Sequence, residues 1–154
     1  MRLHESERGT AMLEYAVVLP LFLAFVFTSI DFYFFVYAKA TLRHAVLEGA
    51  RYAIIGQTMP GLGQDASIKA VVQSNAMGLL NSSEDQAKIN VRYYAADGSG
   101  VSAYNTGGNM VAVSVENYAP PVLIGLWMGS LPGSIKVTVS AVDKLEPFTT
   151  APPR

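Results

Sequence analysis

The stretch that decides the fold is residues 8–31, which read RGTAMLEYAVVLPLFLAFVFTSID. A short charged segment, residues 1–9, meets an uncharged apolar run there, residues 16–30, and the apolar and aromatic character resumes after Asp31. A helix needs about 20 mostly apolar residues to cross a bilayer, so residues 16–37 are long enough to span one. A helix buried in a soluble core is the alternative, but so small a domain could not cover this many aromatic side chains on every face.

The length and composition of the chain favour a membrane anchor joined to a small domain. A chain of 154 residues has room for one ordinary domain, or for an anchor and a domain of about 100 residues, and its apolar residues are concentrated near the N-terminus. The net charge of -1, from 11 basic and 12 acidic residues, gives no field that would attract nucleic acid. The absence of Cys excludes disulfides, thiolate metal sites and thiol nucleophiles. His4 and His44 lie far apart in the sequence, so we expect neither a shared metal site nor a histidine-centred triad, and no cofactor is expected.

Three residues within or beside the apolar run are unusual for a membrane helix. A carboxylate near the bilayer centre costs about 2.5–3.5 kcal/mol, so Glu14 is expected either to have a partner or to lie hydrated at the headgroup level. The same two alternatives hold for Asp31, where the helix could already be leaving the membrane. Pro20 removes one backbone hydrogen bond and predicts a kink or a local loosening, which neighbouring helices can compensate.

The pattern becomes amphipathic after the apolar run. One helix is predicted from about residue 10 to residue 55, with Gly56 ending it. Lys39, Arg43 and Arg51 lie away from its apolar stripe. The stripe that we expect to pack on a domain consists of Ala38, Leu42, Ala45, Val46, Gly49 and Ala53.

The rest of the chain predicts an α+β domain. A second helix is expected over 65–80, with Asp65 as its N-cap and an apolar face of Ile68, Val72, Ala76 and Leu79. Alternating residues predict strands at 89–94, 111–116 and 135–142, and turn-rich sequences separate the first two. Three strands that pack on the end of the long helix form an antiparallel sheet. The tail from residue 147 is expected to be flexible.

An apolar loop, residues 118–133, separates the second and third predicted strands. It contains Leu126, Trp127 and Met128 and carries no charge. Contiguous exposed apolar residues usually form an interface, so contact with a neighbouring subunit or with the membrane surface is one interpretation. The other is that the loop folds back as a short helix and completes the core.

The N-terminal third of the chain resembles type IV prepilins, and specifically the TadE-like minor pseudopilins of tight-adherence (Flp-type) pilus systems. Gly9 followed by four residues and then Glu14 and Tyr15 is similar to the prepilin peptidase pattern. The apolar segment 17–21 with a later acid, Asp31, resembles the family's membrane segment. The residues Glu48, Gly49, Ala50 and Arg51 resemble a recurring signature at the end of the long helix, where close packing is the alternative to a direct binding role.

The resemblance implies a processed membrane protein. A prepilin peptidase would cut between Gly9 and Thr10 on the cytoplasmic side, and Gly9 suits that role because it has no side chain. Glu14 would then pair with the terminal amine of a neighbouring subunit, which offsets the cost of two charges in the membrane. Two basic residues, Arg2 and Arg8, precede the span, whereas three, Lys39, Arg43 and Arg51, follow it, so a count of basic residues does not by itself favour a cytoplasmic N-terminus.

The organisation implied is a leader, a long helix, a domain outside the cytoplasm and a tail, at residues 1–9, 10–55 (10–37 transmembrane and 38–55 amphipathic), 56–146 and 147–154. The expected function is that of a minor pilin in the inner membrane that takes part in initiating, priming or capping a pilus. Its expected partners are the prepilin peptidase, a sibling minor pilin, the major pilin and the inner-membrane assembly platform. The alternative is an uncleaved, membrane-anchored ligand-binding or sensor domain. An enzyme is not expected, because the scattered carboxylates have no catalytic spacing.

Overall fold

A computed structural model of the chain describes residues 3–97, 99–102, 104–123, 125, 135–148 and 150–154, with side chains from residue 11 onward. The chain divides into two compact units. The helix unit comprises Met1–Phe35 and Pro121–Ser134, and the sheet unit comprises Val36–Pro120 and Ile135–Arg154. The elements in chain order are α1 (Leu3–Ile54), α2 (Gln64–Asn75), α3 (Ser83–Gln86), β1 (Ile89–Tyr94), β2 (Val101–Ser102), β3 (Met110–Tyr118) and β4 (Val137–Lys144).

The α+β fold class is confirmed. The sheet is antiparallel throughout and has the order β2-β1-β3-β4. Three of the strands correspond to the predicted ones. The additional strand β2 has two residues, which is too short for an alternating pattern to appear in the sequence. Strand β4 begins at Val137, after the exposed Ile135 at which the sequence pattern placed its start.

The second half of α1 forms one wall of the core of the sheet unit. All six residues of the predicted apolar stripe are buried, because residues at helical three- and four-residue steps share one face. The helix ends at Ile54, one residue before the predicted end. Gly56 then adopts a φ of +65° and donates its N–H to the carbonyl of Ala53 at 3.1 Å, as a glycine after a helix C-terminus commonly does.

The start and the end of α2 differ from the prediction. The N-cap is Gly63 and not Asp65, and Asp65 lies in the first turn with its carboxylate directed to other partners. The helix ends at Asn75, after which Met77 and Gly78 have φ values of 48° and +86°. These left-handed residues break the helical phase, so Leu80 is buried in the core in the place predicted for Leu79.

The C-terminal tail makes main-chain hydrogen bonds with the rest of the sheet unit. The N–H of Glu146 donates to the carbonyl of Ile54 at 3.1 Å, and the N–H of Gln64 donates to the carbonyl of Pro153 at 2.6 Å. Leu145 is buried just before the tail and accepts from the N–H of Gly108 at 3.1 Å. The residues predicted to be flexible therefore include a hydrogen-bonding partner of α2.

Candidate assembly helix

The first part of α1 is an apolar helix whose side chains are largely left uncovered by the part of the chain that the structure describes. Residues 11–22 are all exposed, and the large side chains of Tyr15, Phe25 and Phe32 expose 74%, 72% and 68% of their surface. Among the described residues, one candidate membrane span is found, within Ala11–Ile54, with a mean hydropathy of 2.0 and none of its apolar window buried. So large an apolar surface needs lipid or a partner protein to cover it, and the helix therefore fits a single-pass membrane anchor.

The residues of the predicted processing site lie at the N-terminal end of this helix. Gly9 and Thr10 belong to α1, which begins upstream of them at Leu3. The side chains of Glu14 and Tyr15 are exposed. Thr10 and Glu14 are four residues apart, so they lie on the same face of the helix, about one turn from each other.

The polar residues within the apolar segment are accommodated by the helix. Pro20 lies inside α1, which continues on both sides of it. The Thr28 hydroxyl donates to the carbonyl of Ala24 at 2.7 Å, and the Ser29 hydroxyl donates to the carbonyl of Phe25 at 2.8 Å. Because such bonds to the preceding turn satisfy the hydroxyls internally, these residues can face lipid without an unpaired donor.

Asp31 has a partner that is distant in sequence. One oxygen of its half-buried carboxylate, Oδ1, accepts a hydrogen bond from the main-chain N–H of Leu123 at 2.7 Å, and both residues belong to the helix unit. Asp31 therefore has a specific hydrogen-bonding partner within the chain. The possible interface residues Leu126, Trp127 and Met128 lie outside the described residues.

Two residues of the predicted signature at the end of the long helix lie in the core, and the other two lie on the exposed face of the helix. Gly49 and Ala50 are buried, and a Cβ added to Gly49 would overlap Cγ2 of Val72 in α2 and contact Val113 in β3. Arg51 Nη1 donates to Glu48 Oε1 at 2.7 Å on the exposed face, and His44 Nε2 lies 3.9 Å from the same oxygen. Gly49 thus allows α2 and β3 to approach the helix closely.

Comparison with known proteins agrees with this geometry. A family model described as TadE-like protein matches residues 9–51. Residues 9–51 therefore form a TadE-like segment. The match begins at the glycine of the predicted cleavage site and ends shortly before α1 does, at Ile54. No curated protein and no solved structure matches the chain.

The TadE-like segment contains nearly all of the site residues that the sequence indicated. The exceptions are Leu126, Trp127 and Met128 in the apolar loop. The family associates the chain with tight-adherence pili and with other pilus components in a membrane context. The match covers just over a quarter of the chain, so the sheet unit beyond Arg51 is interpreted from its own contacts.

A partly buried polar cluster in the sheet unit, consisting of Gln64, Asp65, Tyr93, Asn105 and Arg154, was not predicted from the sequence. Gln64 is fully buried and accepts at its Oε1 from Nδ2 of Asn105, while the Tyr93 hydroxyl donates to Asp65 Oδ1 at 2.8 Å. Arg154 donates from Nε and Nη2 to Asp65 Oδ2 at 3.0 and 2.8 Å. Its guanidinium carbon lies 4.8 Å from the centre of the Tyr93 ring.

The polar cluster joins five parts of the sheet unit, one of which is the segment between β2 and β3 that contains Asn105. Gln64 Nε2 donates to the carbonyl of Ala53 at 3.3 Å, and Asn105 Nδ2 donates to the carbonyl of Pro152 at 2.8 Å. Burial and the hydrogen bond to Asp65 raise the pKa of the Tyr93 phenol well above its usual range. The cluster thus connects the end of α1, the start of α2, strand β1, the segment between β2 and β3, and the C-terminal tail, which is a structural role.

Proposed function

We propose that this TadE-like protein is a minor pilin or pseudopilin that takes part in the initiation, priming or capping of a tight-adherence pilus. The observation that carries the proposal is the coincidence of the family match at residues 9–51 with an exposed apolar helix. The protein acts by helix packing and performs no chemistry. Other pilins cover the helix when it leaves the lipid, since an apolar surface of this size is unstable in water.

The first step in this function is cleavage of the precursor between Gly9 and Thr10 by a prepilin peptidase. This bond lies within a helix, so the peptidase must unwind the chain locally to reach the carbonyl. A glycine in a helix interior destabilises it by about 1 kcal/mol relative to alanine, which makes unwinding easier at this position. The absence of a Cβ also allows the protease to approach the backbone.

The second step is recognition of a neighbouring subunit through Glu14. Cleavage gives Thr10 a free amine, and the Glu14 carboxylate is exposed on the same helix. An unpaired charge in the hydrocarbon costs about 2.5–3.5 kcal/mol on insertion scales. Pairing the amine of one subunit with Glu14 of the next offsets both penalties, and it sets the axial register of two helices.

We propose a topology with the N-terminus in the cytoplasm and the sheet unit outside it, across the inner membrane. The partners are the prepilin peptidase, a sibling minor pilin, the major pilin and the assembly platform in that membrane. Processing by a peptidase that acts on the cytoplasmic face supports this orientation. The domains of the mature protein are then the helix 10–55, the extracytoplasmic domain 56–146 and the tail 147–154.

Mass spectrometry of the membrane-extracted protein tests cleavage directly. In cells with an active prepilin peptidase we expect a mature chain that lacks residues 1–9. The substitution Gly9→Leu places a bulky side chain at the cut bond and should leave the full-length precursor, whereas Met12→Ala serves as a matched control that is cleaved normally. An uncut wild-type chain would favour the alternative of a permanently anchored sensor domain.

A second experiment separates assembly from processing. We expect Glu14→Ala to be cleaved as the wild type is, but to lower the yield of sheared surface pili. Glu14→Asp keeps the charge and should restore part of that yield, and the neighbouring Leu13→Ala controls for loss of side-chain volume. A pilus yield unchanged in Glu14→Ala would mean that this carboxylate is merely hydrated.

A further inference from the structure

The contact between Asp31 and Leu123 places a second segment of chain beside the apolar helix. The two residues are 92 positions apart, and the donor is a main-chain amide that is not part of a helix or strand. Pro121 and Leu123 are exposed, and Val122 is half-buried. We call Pro121–Leu123 the interfacial segment.

The position of Asp31 along α1 fixes the depth of this contact in a membrane. The 17 residue steps from Glu14 to Asp31 rise about 25 Å, at about 1.5 Å per residue. The hydrocarbon core of a bilayer is about 30 Å thick. With Glu14 at one boundary of the core, Asp31 and the Leu123 amide lie within about 5 Å of the opposite boundary.

The interfacial segment has the chemistry that this depth requires. A non-helical backbone is excluded from the hydrocarbon core because its unpaired N–H and C=O groups cannot bond to water there, whereas at the headgroup boundary water can satisfy the groups that remain. Pro121 has no N–H, and the N–H of Leu123 is bonded to Asp31 at 2.7 Å. The sequence carries no charged residue between Glu116 and Lys136. The same bond offsets the cost of the Asp31 carboxylate, because a charged acceptor gains more from a donor than a neutral one does.

We propose that the interfacial segment lies in the lipid headgroup and acyl boundary of the leaflet at the C-terminal end of the span, and that Asp31 is the positioning residue that holds it there. The partner is the bilayer surface, because the segment is bonded to the same helix unit that lipid must cover. The chain thus contacts the membrane at two places, through the span and through this segment. The proposal rests on the membrane anchor in the proposed function, but it needs neither cleavage nor pilus assembly.

Site-specific labelling tests the depth of the segment. The chain contains no Cys, so Val122→Cys provides a single site for an NBD fluorophore in the full-length protein. In vesicles of phosphatidylcholine and phosphatidylglycerol, we expect quenching by lipids that are spin-labelled near the headgroup. The label should also react slowly with aqueous dithionite. Ser140→Cys, on an exposed position of β4, and Phe25→Cys, in the middle of the span, calibrate the aqueous and deep limits.

Variants of Asp31 test its role in positioning. We expect Asp31→Ala to increase the rate of dithionite bleaching at position 122 at least about fivefold, since a hydrogen bond to a charged group is lost. Asp31→Asn keeps an acceptor oxygen and should retain most of the protection. Ser29→Ala removes a hydroxyl that bonds within α1 and should change nothing.

Each alternative result has a distinct meaning. A label at position 122 that bleaches as fast as the one at position 140 would overturn the proposal. Protection that survives in Asp31→Ala would overturn the role of Asp31. The label could instead be protected from both the lipid quenchers and dithionite, with this protection lost when the protein is diluted into excess lipid. That result would overturn the bilayer as the partner and show that a second copy of the chain covers the segment. Release of the protein by alkaline carbonate would contradict the membrane anchor itself, whereas a failure of cleavage would leave this proposal intact.

Discussion

The substitution Gly49→Ala tests how closely α1, α2 and β3 approach one another in the sheet unit. The new methyl group would overlap Cγ2 of Val72 and lie 3.6 Å from Cγ1 of Val113. Val72 is fully buried and β-branched, so it has few alternative rotamers. Overpacking of this kind costs about 1–3 kcal/mol, while replacing glycine by alanine in a helix stabilises it by about 1 kcal/mol. The net effect is a loss of about 0–2 kcal/mol in the free energy of unfolding.

A double-mutant cycle with Val72→Ala separates the two contributions. Val72→Ala alone removes two methyl groups from the core and costs about 2–3 kcal/mol. In that background the methyl group introduced at position 49 fills the vacated space, so only the gain in helix propensity remains. Gly49→Ala should therefore be stabilising by about 1 kcal/mol there, which gives a coupling energy of about 1–3 kcal/mol between the two sites.

Hydrogen exchange of the full-length protein in detergent micelles provides the assay. The slowest amides of β3 report the free energy of opening of the sheet unit, whereas α1 amides in the micelle do not. Ala50→Gly, at the adjacent buried position, is the matched control for helix propensity without a new overlap. Additive effects of Gly49→Ala and Val72→Ala would refute the reasoning, because they would mean that the two side chains do not share the same space.

Three further predictions concern the polar residues of the sheet unit. Asn105→Ala leaves the buried Gln64 carbonyl oxygen without its amide donor and should lower the free energy of unfolding by about 1–3 kcal/mol in urea titrations. The raised pKa of Tyr93 favours the neutral phenol in the folded state. Its contribution to stability is therefore complete below about pH 10 and is lost as the pH rises further, and Tyr93→Phe should weaken this alkaline loss. Arg51→Ala should change stability by less than about 0.5 kcal/mol, because the Arg51–Glu48 pair is exposed. A drop in pilus yield in that variant at unchanged stability would support a binding role for the helix-end signature.

The parts of the fold that depend on local periodicity were predictable from the sequence. The stripe from Ala38 to Ala53 and the alternation around Val113 each repeat often enough to identify the element and its buried face. The exposed apolar half of α1 was predictable for the same reason, since its length and hydropathy need no tertiary information. Errors occurred where left-handed residues change the helical phase: Met77 and Gly78 moved the core position from Leu79 to Leu80.

The polar contacts could not be predicted, because their partners are distant in sequence. Asp65 resembled an N-cap, since acidic residues are common there, but its carboxylate bonds to Tyr93 and Arg154, 28 and 89 residues away. Similarly, nothing in the neighbourhood of Asp31 identifies Leu123 as its donor. A short polar side chain has many possible partners, and the partner that it meets is determined by the tertiary fold.

The two halves of α1 in the TadE-like segment are constrained differently, the second by folding of the chain itself and the first by its membrane or protein surroundings. From residue 38 onward the buried face of the helix is covered by the chain's own α2 and sheet, so substitutions such as Gly49→Ala act on folding of the isolated protein. From residue 11 to residue 37 most side chains are exposed, so the covering surface is supplied by lipid or by other proteins. Substitutions such as Glu14→Ala should then leave the free energy of unfolding of the sheet unit unchanged and alter only insertion or assembly. A variant in the first half that destabilised β3 as strongly as Gly49→Ala would contradict this division.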